Sequence, residues 1–203
     1  MVHKIEVPTT RQTTQRKTPN QNKNMSSLPT SARSISTKMT KLLVNQANRE
    51  LDASRMYLAM DLWFRFHNYP GSASWCQTHS QEERQHAMKI FDHLALRQTE
   101  KHCQVTADVL TDWSMADIEA KNISTVWKKA LDQEVANSRH YFEMYKVAKE
   151  ENDFVTQQFL DWFINEQLME ENAVEDIFNK TIKLEQTGGL YAAVDKDMLK
   201  MDH

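Results

Sequence analysis

The stretch SQEERQHAMKIFDHL, residues 80–94, sets two adjacent carboxylates, Glu82 and Glu83, just ahead of an imidazole, His86. On a helix, Glu83 and His86 share a face with Cys76, Ile90 and Leu94, because residues three and four apart lie one above another. That face should point into a core. An ionised carboxylate there is very costly without a partner, so the stretch asks for a cation. A single Glu-x-x-His is common by chance on helix surfaces and alone specifies little.

The same interruption recurs three times. Leu43, Ala47, Glu50, Ser54 and Tyr57 form one helical stripe, and Cys76, His79, Glu83, His86 and Ile90 a second. Trp127, Leu131, Glu134, Ser138 and Tyr141 form a third, and Phe159, Phe163, Gln167, Glu170, Val174 and Ile177 a fourth. Each apolar stripe is broken by an acid, which suggests one shared buried site. The spacings agree. Glu50 precedes Glu83 by 33 residues, and Glu134 precedes Gln167 by 33. His86 follows Glu83 by three residues, and Glu170 follows Gln167 by three. Tyr57 and Tyr141 each follow their acid by seven, and Glu82 corresponds to Glu166. The second half therefore repeats the polar positions of the first. Two such hairpins related by an approximate two-fold would bring these groups to one level.

Charge then decides what sits there. Glu50, Glu83, Glu134 and Glu170 would carry four negative charges, and uncompensated they must protonate or repel. Two divalent cations neutralise the set. Oxygen ligands with one imidazole suit iron or manganese, whereas zinc favours fewer ligands and tetrahedral geometry. Only one Glu-x-x-His is present, so the second metal, beside Gln167 and Glu170, should bind more loosely. Tyr57 and Tyr141 are either core aromatics with satisfied hydroxyls or neighbours of the metals. His79 reads as a hydrogen-bonded core histidine, and His67, His93, His102 and His140 as ordinary. Met56 and Met60 read as packing rather than haem ligands, so no haem is expected.

Long helices must position these groups. From Ser72 to Thr187 there is neither glycine nor proline. Sheet proteins need turn residues more often than that, so the fold class is all-α. The pattern predicts helices over about 37–67, 72–97, 118–150 and 154–186, and a short fifth over about 194–201. Pro70-Gly71 should break the first pair and Asn152-Asp153 the second, with Gly188-Gly189 closing the fourth helix. Residues 98–117 carry no strong pattern. Such a length suits a bundle in which one connection must travel the full height.

Residues 1–36 are rich in Thr, Ser, Gln and Asn and carry six Lys or Arg against one acid, Glu6. Disorder is the expectation, followed by a single domain over 37–203. No apolar h-region marks a secretory signal. A cytoplasmic location follows, or a mitochondrion or plastid if this basic leader is a transit peptide. The asparagine sequons at Asn122 and Asn179 should then go unused. The net charge of −3 gives no global case for nucleic acid. The longest apolar run, Met56–Met60, is far short of the ~18 residues a membrane span needs. Cys76 and Cys103 form neither a disulfide framework nor a CxxC pair.

The sequence resembles the ferritins, and the non-haem prokaryotic-type branch in particular. NRELDASRMYLAM (48–60), SQEERQHAMKIFDHL (80–94), FLDWFINEQLMEE (159–171) and GGLYAAVDKDM (188–198) look like its first-, second- and fourth-helix signatures and its turn into a short fifth helix. The resemblance spans about residues 37–201. Ferritin-like di-iron bundles are the known case of one Glu from each of two helices plus Glu-x-x-His motifs. The resemblance implies a four-helix bundle with one long crossover, assembled as a 24-subunit cage. It implies that Glu50, Glu83 and His86 hold the first iron of a ferroxidase centre. Glu83 would bridge to a second iron held by Glu134 and Glu170, with Gln167 beside it and Tyr57 adjacent. Fe²⁺ would be oxidised there by dioxygen or peroxide, and the ferric ion stored as mineral. A third iron near Glu82 and Glu166, sharing Glu170, is expected to bind weakly, because Met169 stands where such members usually carry glutamate. Glu171, about 100° further round the helix, should not substitute. Gln157 and Leu160 match the acidic channel positions of animal ferritins, so an acidic three-fold channel is not expected. Two other classes fit the same bundle. One is another di-metal protein, of peroxidase or oxygenase type. The other is a non-catalytic cage subunit, which should lack Glu50, Glu83 or His86.

Overall fold

A computed structural model describes residues 31–97, 113–115 and 122–199. Five helices follow one another: α1 (Thr37–Phe66), α2 (Pro70–Leu96), α3 (Ile123–Glu150), α4 (Phe154–Thr187) and α5 (Ala192–Met198). Among the described residues there is no strand.

The helix ends have local causes. Ser36 caps α1, its Oγ accepting from Met39 N at 2.9 Å. The same hydroxyl donates to Glu151 Oε2 at 2.7 Å, tying the start of α1 to the end of α3. Asp153 caps α4 by accepting from Thr156 N at 3.1 Å. Such caps satisfy the orphan N–H groups of a first turn. Gly188, with φ of 65°, ends α4 in the left-handed conformation that a glycine adopts without penalty. The two hairpin turns are tight because Asn68 (φ 59°) and Asn152 (φ 56°) also accept that conformation.

Pro70-Gly71 was expected to be a break, and the structure places both inside α2. Pro70 opens the helix, where its missing N–H is no loss and its fixed φ is already helical. The turn is therefore His67–Tyr69. Gly71 is needed for another reason: a Cβ there would stand 1.8 Å from Asp195 O, so α5 can seat on α2 only over a glycine. The third helix was expected from residue 118 and begins at Ile123. The fifth starts two residues earlier than expected, at Ala192. The expectations for residues 1–30, His102, Cys103 and most of the crossover lie outside the described residues.

α1 packs along α2 and α3 along α4, and α1 meets α3 to join the hairpins. The core is split in two. One apolar cluster gathers Met56–Phe64 of α1, Ala73–Cys76 of α2, Ile123–Ala130 of α3 and Val174–Ile177 of α4. The other gathers Met39–Ala47, Ile90–Leu94, Tyr141–Ala148 and Leu160–Phe163. The order of the clusters along each helix shows that α1 and α4 run one way and α2 and α3 the other. The connection from α2 to α3 must return the length of the bundle, as the sequence pattern suggested. Between the clusters lies one polar level, and it holds Glu50, Glu83, Glu134, Gln167 and Glu170.

Candidate metal centre

Each helix delivers its acid to this level because the acid occupies a core-facing position of an otherwise apolar stripe. Glu50, Glu83, Glu134 and Gln167 are buried, each at 3% exposure or less. Three groups of ligand atoms converge to within 4.8 Å: Glu50, Glu83 and His86; Glu83, Glu134 and Glu170; and His86, Glu166 and Glu170. Glu83 is common to the first two and so lies between them. His86 Nδ1 stands 3.4 Å from Glu83 Oε2 and 3.6 Å from Glu170 Oε1. Gln167 Nε2 donates to Glu134 Oε2 at 2.9 Å and to Glu170 Oε2 at 3.0 Å.

The hydroxyls of both tyrosines enter the site. Tyr57 donates to Glu134 Oε1, and Tyr141 donates to Glu50 Oε1. Two further donors were not foreseen. Gln46 Nε2 donates to Glu50 Oε1 at 2.7 Å, and Asn137 Nδ2 to Glu50 Oε2 at 3.3 Å. Their signal was present in spacing alone: Gln46 lies one turn before Glu50, and Asn137 three residues after Glu134. These donors fix the carboxylates without neutralising them.

The electrostatics of the site follow from its burial. Among the described residues, no ion pair or hydrogen bond gives Glu50, Glu83, Glu134 or Glu170 a Lys or Arg partner. Burial, and then the neighbouring carboxylates Glu134, Glu50 and Glu170, push the Glu83 carboxyl well above the usual range. Burial raises Glu134 to about 7, although bonds from Tyr57 and Gln167 oppose the rise. Burial, with Glu134 and Glu50, raises Glu170 to about 9. Without a cation the cluster therefore retains protons at neutral pH. Burial lowers the His86 imidazole, which keeps a nitrogen lone pair free to bind a metal. Glu83 Oε2 is buried and has no hydrogen bond. A buried oxygen without a hydrogen bond, set among carboxylates, fits a divalent ion, since metal binding would replace the protons and satisfy the oxygen together.

Other expected positions fall as follows. Glu82 is half-exposed, lies 3.7 Å from His79 Nε2, and belongs to none of the three converging groups. Glu166 converges instead with His86 and Glu170. Met169 is 68% exposed. Glu171 accepts from Ser138 Oγ and so faces α3. His79 is a half-buried, bonded histidine, its Nδ1 2.9 Å from Trp75 O and its ring stacked on Trp75. Met56 and Met60 pack in the core. Leu160 is fully buried within its own bundle, where it cannot line a channel between subunits.

A family model for the ferritin-like domain of ferritins matches residues 40–184. The bacterial non-heme ferritin of Staphylococcus aureus is 28% identical over 158 residues, covering 77% of this chain and 91% of that protein. The bacterial non-heme ferritin of Escherichia coli is 27% identical over 165 residues, covering 81% and 95%. Among solved structures, a humanized archaeal ferritin superposes with a TM-score of 0.69 at 30% identity, over 82% of this chain and 98% of its own. The open-pore ferritin of Archaeoglobus fulgidus gives 0.70 at 27% identity, over 82% and 98%. With the four-helix bundle, the short fifth helix and the match over most of its length, the chain belongs to the ferritin family of iron-storage proteins.

Proposed function

We propose that the chain is a ferroxidase-competent ferritin, with two Fe²⁺ ions per subunit as its substrate. Glu50, Glu83 and His86 hold one ion; Glu83, Glu134 and Glu170 hold the other, with Gln167 beside it. The reading is carried by the orphaned Glu83 Oε2 set among buried carboxylates that have no Lys or Arg partner. Two divalent ions balance four carboxylates, and their binding displaces the retained protons. Iron supplies the redox chemistry, and the chain supplies charge, position and a dry surrounding. Gln46, Asn137 and Tyr141 orient Glu50; Gln167 and Tyr57 orient Glu134. Dioxygen or peroxide takes the electrons, and Fe³⁺ leaves the centre to be stored as hydrated oxide in a cavity enclosed by a homo-oligomer, a 24-subunit cage as in the family. Glu166, with His86 and Glu170, is a candidate weak third iron site, and Glu82, expected there as well, lies outside that group. No helix among the described residues is long and apolar enough to cross a membrane. The proposed location is the cytoplasm, or a mitochondrion or plastid if residues 1–36 are a transit peptide.

Stopped-flow absorbance of ferric iron tests this, with Fe²⁺ added stepwise to the metal-free protein in air. Fast oxidation should saturate near two irons per chain and disappear when Glu83→Ala and His86→Ala are combined. Oxidation no faster than that of free iron in both proteins would reduce the chain to a nucleating or structural subunit.

A further inference from the structure

The larger core cluster holds a line of oxidisable rings that begins at the metal centre. Tyr57, bonded to Glu134, meets Trp75 edge-on with centroids 5.8 Å apart. Trp75 meets Trp127 edge-on at 5.2 Å. Trp127 Nε1 donates to Tyr191 OH at 2.8 Å. Tyr191 meets Tyr69 edge-on at 5.0 Å. Tyr69 is half-buried and lines a surface cleft of about 620 Å³ at the end of the bundle.

Packing alone does not ask for this chemistry, since aliphatic residues fill such space without polar atoms to satisfy. Tyrosine and tryptophan are the side chains most readily oxidised by one electron, and rings in contact exchange electrons fastest. Both ends of the line also have a place for a proton. Tyr57 bonds Glu134. Tyr191 OH lies 2.9 Å from Ser72 Oγ, which donates to Asp195 Oδ1 at 2.8 Å. The two tryptophans between them are buried, Trp75 against the His79 ring and Trp127 bonded to Tyr191; out of water a radical cation is costly and therefore short-lived.

We propose that Tyr57, Trp75, Trp127 and Tyr191 form an electron relay that draws surplus oxidising equivalents away from the metal centre. It rests on the ferroxidase reading for its oxidant, the dioxygen or peroxide reacting there. When iron cannot supply the next electron, Tyr57 does, and its phenolic proton shifts to the Glu134 oxygen it already bonds. Trp75 returns an electron to Tyr57, and the proton returns with it. Trp127 then reduces Trp75, and Tyr191 reduces Trp127. Tyr191 gives its O–H proton to Ser72 Oγ, which passes its own to Asp195 Oδ1. The net change is one electron moved from Tyr191 to the centre and one proton moved from Tyr191 to Asp195. The hole rests at the α5 end of the bundle, separated from the ligands by the three rings of Tyr57, Trp75 and Trp127 and next to Tyr69 and the cleft, where an external reductant can refill it.

The relay is tested without iron by pulse radiolysis of the metal-free assembly. Azide radicals oxidise tryptophan, and the decay of tryptophanyl into tyrosyl absorbance is followed in time. Trp127→Phe should slow this conversion roughly tenfold or more, equivalent to about 1.4 kcal/mol of added barrier. Trp127→Tyr also loses the indole bond to Tyr191 but keeps an oxidisable ring, and should restore the rate. Tyr191→Phe should remove the final tyrosyl signal. In a second arm, freeze-quenched electron paramagnetic resonance after Fe²⁺ and hydrogen peroxide should show a tyrosyl radical that shifts from Tyr191 to Tyr57 in Trp127→Phe. Equal conversion in Trp127→Phe and wild type, or equal loss in Trp127→Phe and Trp127→Tyr, would overturn the relay. Absence of iron oxidation in wild type, with the radiolysis pattern intact, would tell against the ferroxidase reading and still support the aromatic path.

Discussion

The metal-free protein should become less stable as pH rises across neutrality, and Glu134→Gln should remove the share of that loss that Glu134 contributes, while Glu83 and Glu170 keep theirs. Glu134 has a folded value of about 7, above its ordinary 4.5. A raised folded value means that the folded chain binds the proton more tightly than the unfolded one. The resulting stability is full below about 4.5 and is lost as pH rises through about 7. At about 1.4 kcal/mol per pKa unit, the loss between pH 4.5 and 8 is roughly 3 kcal/mol. For a chain of this size each kcal/mol moves Tm by about 2–4 °C, so the effect is roughly 5–10 °C. Glutamine keeps the acceptor for Tyr57 but sets an amide against Gln167 Nε2, which costs about 1 kcal/mol at every pH. That penalty cancels in the pH difference. Calorimetry of chelator-treated wild type and variant at pH 5 and pH 8, at equal chain concentration, measures the difference. Excess Zn²⁺ should recover the wild-type loss at pH 8 and help the variant less. Equal pH dependence in the two proteins would refute the premise that these carboxylates are buried together without a compensating cation.

Loading the centre with Zn²⁺ or Co²⁺ near pH 7 should release protons, because Glu134 and Glu170 retain them up to about 7 and about 9; a pH-stat titration reads the number, and affinity should fall steadily below pH 7. Arg97 is buried, with Nη2 2.9 Å from Asp153 Oδ2 and Nη1 3.2 Å from Thr156 Oγ1. Arg97→Ala strands Asp153 at the start of α4 and should cost about 3 kcal/mol in thermal unfolding. Gly71→Ala drives a methyl group into Asp195 O. It should undock α5, seen as faster hydrogen exchange over residues 192–198, while two-metal binding at the centre persists.

The helices and the identity of the acids were legible in the sequence because both are local. A stripe of period 3.6 with one acid at a core position needs only its own helix to be recognised. Ser36, Asp153 and Gly188 mark ends through bonds or φ values set within a few residues. The matched spacing of 33 residues implied two equivalent hairpins, and the charge total implied cations. Pro70-Gly71 was misjudged because proline breaks a helix interior and also opens a first turn, and composition does not say which.

Other features depend on how the hairpins rotate and slide against each other, which is settled by side-chain packing between helices. Gln46 and Asn137 stand out only once α1 and α3 bring both to Glu50. Leu160 belongs to the core because of how α4 turns, and Glu166 meets His86 because α2 and α4 are in register. Asp195 reaches Ser72 across 123 residues, and Gly71 is there to let it. Residue types and local periods determined that four helices would carry buried acids. Only the tertiary structure decided which oxygens meet, which are bonded, and that Glu83 Oε2 accepts no hydrogen bond. That choice depends on distances of a few tenths of an ångström, which packing between helices controls and helical period does not.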